Sequence, residues 1–138
     1  MNGIVIDASV ALAWCFPDEA SDYADSVLLA VENHTVVVPA IWAVEITNAL
    51  LVGERRKRIR QPEVRRFIEL LKGLKIAEDV QPVADTVSCI FPLAQAYRLS
   101  AYDAAYLDVA VRREIPLATL DGDLQEAALA AGIKTFKI

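Results

Sequence analysis

The chain has 138 residues, 55% of them hydrophobic and 24% charged, with a formal net charge of −5 at pH 7. This length fits one ordinary domain, and the hydrophobic fraction excludes a disordered tail or a linker. We therefore expect residues 1–138 to form a single domain. The longest apolar run, residues 36–44, is far shorter than the about 20 residues of a membrane span. Because the start of the chain also lacks the pattern of a signal peptide, we expect a cytoplasmic protein without a membrane span.

Positive charge is concentrated in one segment, residues 54–66. It contains seven Lys or Arg and two Glu, so it carries +5 while the rest of the chain carries −10. A basic patch on an acidic body indicates a polyanionic partner that docks at one place. The alternative is a solvated helix end whose basic residues complement the helix dipole.

Predicted strands alternate with predicted helices along the chain. The apolar and β-branched runs predict strands at 3–6, 35–38, 74–77, 115–119 and 133–138. Helix starts and stops predict helices at 10–14, 17–32, 39–58, 61–72, 83–99 (broken or kinked at Pro92), 101–113 and 121–132. This alternation predicts an α/β fold with a central parallel sheet flanked by helices. The helices between residues 40 and 72 exceed a simple crossover, so we expect a helical insertion beside the sheet.

Asp7 and Glu45 are acidic residues in unusual places. Asp7 directly follows the first strand, where ligands collect in parallel sheets. It suits a helix N-cap, but Ser9 suits that role equally well and would leave Asp7 free. Glu45 is the only charged side chain between residues 36 and 53, and with Asn48 it forms a polar notch on an apolar helix. The alternative for Glu45 is a salt bridge with an arginine of residues 55–60.

Two further carboxylates start later helices. Asp103 lies three residues after Ser100, and the alternative to a functional role is a capping box. Asp121 follows the fourth predicted strand, where a simple N-cap is the alternative, and Asp123 is a weaker candidate. Asp108 points elsewhere on its helix, so we expect it to be a surface charge.

If the four carboxylates converge, their mutual repulsion requires either raised pKa values or a cation. Oxygen ligands suit Mg²⁺ or Mn²⁺, whereas the single histidine, His34, and the lack of Cys/His spacing disfavour zinc. Glycine-rich phosphate loops, GxGxxG and GxSxG are absent from the sequence. A carboxylate-held metal that activates water remains, and this chemistry serves phosphodiester hydrolysis, with the basic segment holding a nucleic-acid backbone.

Four segments resemble the acidic motifs of PIN domains, and their order and the chain length resemble VapC-type toxins of bacterial and archaeal toxin–antitoxin pairs. The segments are 6–9 (IDAS), 45–50 (EITNAL), 102–110 (YDAAYLDVA) and 117–121 (LATLD). The resemblance implies a PIN-like fold and a Mg²⁺- or Mn²⁺-dependent endoribonuclease, the toxin of a type II toxin–antitoxin system. It also implies an RNA substrate, a small cognate antitoxin and a homodimer.

The resemblance assigns roles to individual positions. Asp7 and Asp103 match the most direct metal ligands, and Glu45 and Asp121 complete the acidic quartet. The supporting polar candidates are Ser9, Asn48, Thr119 and Asp123, and the candidate RNA contacts are Arg55, Arg56, Lys57 and Arg58.

Two other classes of protein stay open. The first is a non-catalytic protein on the same fold that binds a metal or a partner. The second is another α/β enzyme with acidic strand ends, a phosphoacceptor receiver or an Asp-nucleophile phosphatase. The phosphatase would need a second carboxylate where Ser9 stands, and Lys134 is only a loose candidate for the receiver's lysine.

Overall fold

A computed structural model describes residues 2–137 and contains a four-stranded parallel sheet in the order β3-β2-β1-β4. The strands are β1 (Gly3–Ile6), β2 (Thr35–Pro39), β3 (Ile76–Asp79) and β4 (Leu117–Ala118). β1 is buried along its whole length, which fits its continuous apolar sequence. The carboxyl ends of β1 and β4 are neighbours, so the residues that follow these strands lie together.

Seven α-helices surround this sheet in the described part of the chain. They are α1 (Ala8–Ala13), α2 (Asp22–Ala30), α3 (Ile41–Arg55), α4 (Gln61–Lys72), α5 (Val83–Tyr97), α6 (Ala101–Arg113) and α7 (Gly122–Ala130). The predicted α/β class with a parallel sheet and flanking helices is confirmed, as is a pair of helices, α3 and α4, between β2 and β3.

The predicted helix over 17–32 is wrong as a single element. Pro17–Glu19 forms only a 3₁₀ turn, and Ser21 then caps α2 by accepting a hydrogen bond from the backbone N–H of Ala24 at 2.9 Å. A second 3₁₀ turn, Val31–Asn33, follows α2. Serine hydroxyls compete for backbone groups at helix starts, so the strong cap at Ser21 sets where the α-helix begins.

The edges of the sheet also differ from the prediction. β3 begins at Ile76 rather than residue 74, and β4 contains only Leu117–Ala118. The predicted final strand is reduced to an isolated parallel bridge between Leu117 and Thr135, and residue 138 lies outside the described residues. Helix α5 continues through Pro92 without the predicted break. Edge elements have one partner or none, so an apolar sequence does not secure a long ladder there.

The helices of residues 2–137 include none that is long and apolar enough to cross a membrane. Cys15 and Cys89 are free and partly buried. Trp42 lies in the core and Trp14 packs against it.

Candidate active site

Asp7 lies at the carboxyl end of β1 and is 5% exposed. Its carboxylate accepts hydrogen bonds from the backbone N–H of Val10 at 3.2 Å, from the Ser9 hydroxyl at 2.6 Å and from the Thr119 hydroxyl. The expectation that Ser9 would cap the helix and leave Asp7 free is therefore wrong, because Asp7 itself is the N-cap of α1. Capping and a functional role are compatible here, since the side chain is held by three donors in one orientation.

The strand-end loops after β1 and β4 are joined by side-chain hydroxyls. Ser9 accepts a hydrogen bond from the backbone N–H of Leu120 at 3.0 Å, and Thr119 accepts one from that of Asp121 at 3.0 Å. Asp121 caps α7 by accepting from the N–H of Asp123 at 3.0 Å. These contacts fix Asp7 and Asp121 side by side at the edge where the two strands end.

Asp103 enters from the first turn of α6. Ser100 caps this helix, as its position in the sequence predicted, and accepts from the Asp103 N–H at 3.1 Å. The Asp103 pKa is raised, chiefly by burial and then by the negative charges of Asp121, Glu45 and Asp123. Acidic side chains from two other segments of the chain are therefore close enough to act electrostatically on Asp103.

The same crowding reaches Asp7. Burial raises the Asp7 pKa, the hydrogen bonds from Ser9, Thr119 and Val10 oppose this rise, and the charge of Asp103 adds to it. Three donors do not fully offset burial and repulsion. The site therefore holds excess negative charge that a cation would stabilise.

Within residues 2–137, Glu45 forms no salt bridge, which was the alternative for it. Its Oε1 accepts a hydrogen bond from the hydroxyl of Tyr106, a residue of α6 that is 2% exposed. Asn48, the other half of the polar notch, lies one turn further along α3 and is exposed. Sequence reasoning missed Tyr106, although a tyrosine three residues after Asp103 shares its helix face and was the available signal.

Asp108 is not a surface charge. It is 4% exposed and accepts a hydrogen bond from Arg112 at 3.0 Å. Arg112 also pairs with Asp79 at the end of β3, and Arg113 reaches the same carboxylate at 2.8 Å. The arginine four residues along the helix compensates the buried carboxylate, so Asp108 belongs to a structural ion-pair network.

The basic segment divides into two parts. Arg58 pairs with Asp18 at 3.0 Å and Glu19 at 2.8 Å, and its guanidinium lies 4.5 Å from the centre of the Phe16 ring. By contrast, the exposed side chains of Arg55, Arg56 and Lys57 have no ion pair within residues 2–137.

The donor set at the site fits a hard divalent cation in kind. Among residues 2–137, no three acidic, histidine or cysteine side chains form a ready-made metal-ligand cluster. Mg²⁺ keeps several waters and commonly binds through only one or two carboxylates, so such a cluster is not required. The buried carboxylate of Asp7 and the crowded carboxylate of Asp103 could hold such an ion.

With the geometry of the acidic site described, comparisons with known proteins identify the family of this chain. The PIN domain family matches residues 4–129, and the chain belongs to this family. The chain is similar to a curated relative, Ribonuclease VapC3 of Pyrobaculum aerophilum, with 34% identity over 124 residues, which cover 89% of this chain and 92% of the relative.

Two solved structures share the fold. One is PAE2754 from Pyrobaculum aerophilum, with a TM-score of 0.66, 24% identity, and coverage of 91% of this chain and 78% of the other. The second is FitAcB from Neisseria gonorrhoeae, with a TM-score of 0.62, 20% identity, and coverage of 97% and 96%. These likenesses agree with the predicted PIN-like architecture.

Proposed function

We propose that this protein is a divalent-metal-dependent endoribonuclease that hydrolyses RNA phosphodiester bonds, with one PIN domain spanning the whole chain. The observation that carries the proposal is the convergence of Asp7, Glu45, Asp103 and Asp121 at one edge of the sheet, with the pKa values of Asp7 and Asp103 raised. Membership of the PIN family and similarity to a protein named a ribonuclease support the choice of RNA.

The chain's own residues prepare the site for a cation. Asp7 and Asp103 would hold Mg²⁺ or Mn²⁺, which when bound lowers the pKa of water and stabilises charge on phosphate. Ser9 and Thr119 donate hydrogen bonds to Asp7 and fix its orientation. Glu45 and Asp121 add negative charge that favours the cation, and we assign supporting polar roles to Asp123 and Asn48.

RNA binding is assigned to part of the basic segment. Arg55, Arg56 and Lys57 are exposed cations at the end of α3, the helix that also carries Glu45. Phosphate contacts by such side chains hold the backbone without reading its sequence. Arg58, also expected to bind RNA, is committed to Asp18 and Glu19, so we propose a smaller contribution from it.

We further propose that the protein is the toxin of a type II pair, that it is inhibited by a small antitoxin and that it works as a homodimer in the cytoplasm. The similarity to VapC3 supports the toxin role. Exposed apolar side chains on α5, Val83, Val87 and Phe91, are compatible with a surface that a second protein covers.

The test is cleavage of total cellular RNA by the purified protein with Mg²⁺ or Mn²⁺, and then with a chelator. We expect discrete products that disappear with chelation and in Asp7→Asn and Asp103→Asn, which keep the side-chain shape but remove the charge. Asp85→Asn is the matched control, because Asp85 is an exposed carboxylate in the first turn of α5. Cleavage retained by both site variants would refute the proposal. Inert wild-type protein, free of antitoxin by mass spectrometry, would favour a non-catalytic binder.

A further inference from the structure

Tyr106 connects two of the helices that form the site. It lies on α6, three residues after Asp103, so both side chains project from the same face of the helix. Its ring is buried in the core, and its hydroxyl donates a hydrogen bond to Oε1 of Glu45 on α3. The two residues are 61 positions apart in the chain. This hydrogen bond therefore sets where the Glu45 carboxylate lies relative to Asp103.

The surroundings of the hydroxyl define what it can do. Burial raises the Tyr106 pKa strongly, and the hydrogen bond to Glu45 and the charges of Glu45, Asp7 and Asp103 raise it further. In the structure the hydroxyl is a hydrogen-bond donor to Glu45.

Glu45 needs such a donor. Its charge acts on Asp103, and the charges of Asp121 and Asp123 act on Asp103 as well. A glutamate has several rotatable bonds, so repulsion alone would turn its carboxylate away from the other acids and toward solvent. A hydrogen bond from a buried, rigid ring opposes that rotation.

We propose that Tyr106 is a positioning residue that holds the Glu45 carboxylate at the acidic cluster, so that Glu45 stabilises a bound divalent cation together with Asp7 and Asp103. In the described residues, Oε1 of Glu45 takes the tyrosine hydrogen bond and Oε2 has no hydrogen-bond donor. One oxygen therefore anchors the group and leaves the other available to a cation. This inference rests on the proposed metal-dependent function.

The test is Mn²⁺ binding to the full chain by isothermal titration calorimetry without RNA. Tyr106→Phe keeps the buried ring and removes only the hydroxyl. We expect its Mn²⁺ affinity to fall by about 10- to 100-fold, the usual effect of removing a group that orients a ligand. Tyr23→Phe is the matched control, because the Tyr23 hydroxyl donates to the backbone oxygen of Phe136 at 2.8 Å. We expect that variant to bind Mn²⁺ like the wild type.

A double-mutant cycle separates positioning from general loosening of the structure. Because Tyr106 acts through Glu45, Tyr106→Phe should weaken Mn²⁺ binding in the wild-type background and have little further effect in Glu45→Gln. Equal effects of Tyr106→Phe in the two backgrounds would overturn the proposal.

The outcomes also distinguish this inference from the proposed function. Wild-type protein whose Mn²⁺ binding is absent or indifferent to Asp7→Asn would refute the metal site itself. Binding that requires Asp7 but is unchanged in Tyr106→Phe would overturn the positioning role alone. If Tyr106→Phe does not fold by circular dichroism, the ultraviolet difference spectrum on Mn²⁺ addition decides. We expect a tyrosine signal in the wild type that Glu45→Gln lacks, and the absence of that signal in the wild type would overturn the proposal.

Discussion

At Gly53, helix α3 packs closely against Phe16 in the segment that follows α1. A Cβ atom built at this position would lie 2.6 Å from both Cε1 and Cζ of Phe16, and 3.3 Å from Cγ2 of Ile59. Phe16 is 1% exposed, and the Arg58 guanidinium covers its ring. The ring therefore has little room to move away, and Gly53→Ala must shift either the ring or helix α3.

Two opposing effects set the size of the change. Alanine is favoured over glycine inside a helix by about 1 kcal/mol. Overpacking a well-filled core costs about 1–3 kcal/mol, and a contact of 2.6 Å to a buried ring belongs at the upper end of that range. We expect Gly53→Ala to lower the free energy of unfolding by about 1–2 kcal/mol. For a chain of this size, this lowers Tm by roughly 4–8 °C.

Gly122 provides the matched control for this substitution. It begins α7, and no atom lies within 4 Å of a Cβ built there. Gly122→Ala should therefore stabilise the fold by about 0.4–1 kcal/mol through the unfolded state. Urea unfolding of both variants beside the wild type measures the two signs. Gly53→Ala with wild-type or greater stability would refute the reasoning, because the Phe16 ring would then yield at no cost. Since α3 carries Glu45, we also expect Gly53→Ala to weaken metal binding.

Two further predictions concern charged groups. Burial alone would raise the pKa of Asp79, but its hydrogen bonds with Arg112 and Arg113 outweigh burial and hold that pKa below its usual value. The stabilisation that this ion pair gives the fold is fully present above about pH 4 and is lost as the pH falls through the lowered pKa. Asp79→Asn should therefore lower the free energy of unfolding by about 1–3 kcal/mol at pH 7 and by progressively less in acid. Urea unfolding across this pH range measures the effect, and a loss that does not vary with pH would contradict the argument. For RNA binding, Arg56→Gln should reduce the slope of log affinity against log salt concentration by about 0.7. Arg58→Gln should leave that slope nearly unchanged and lower the stability of the fold instead. Equal slope changes for the two variants in fluorescence anisotropy titrations would contradict the different roles assigned to Arg56 and Arg58.

Elements with strong local signals were predictable from the sequence. β1 and β2 are continuous apolar runs, and α6 begins at a serine cap. These features depend on neighbours along the chain, so sequence patterns capture them. The helix predicted over 17–32 failed because the caps and turns around Ser21 compete locally with a continuous α-helix.

The site was only partly predictable for a different reason. The four carboxylates stand out at strand ends and on an apolar helix, but their partners come from distant segments. The hydrogen bond from Tyr106 to Glu45 joins residues 61 positions apart, and that from Thr119 to Asp7 joins residues 112 positions apart. No periodicity of the sequence reveals such pairs. The prediction that Asp108 is a surface charge was wrong because the sequence of α6 does not show which residues of β3 lie against it. In the structure, Arg112 pairs with both Asp108 and Asp79 at the end of β3.

The multiple duties of Asp7 have an evolutionary consequence. The same carboxylate caps the start of α1, accepts a hydrogen bond from the Thr119 hydroxyl in the loop after β4 and lies near Asp103. A lineage that had lost selection for the reaction would still be selected to keep aspartate or asparagine at position 7. Alanine there would leave the hydroxyls of Ser9 and Thr119 without their acceptor and would remove the N-cap of α1. The presence of Asp7 in a divergent relative is therefore weak evidence that the relative is catalytically active. Asp103 is the better indicator of activity, because its side chain makes fewer hydrogen bonds that the fold depends on.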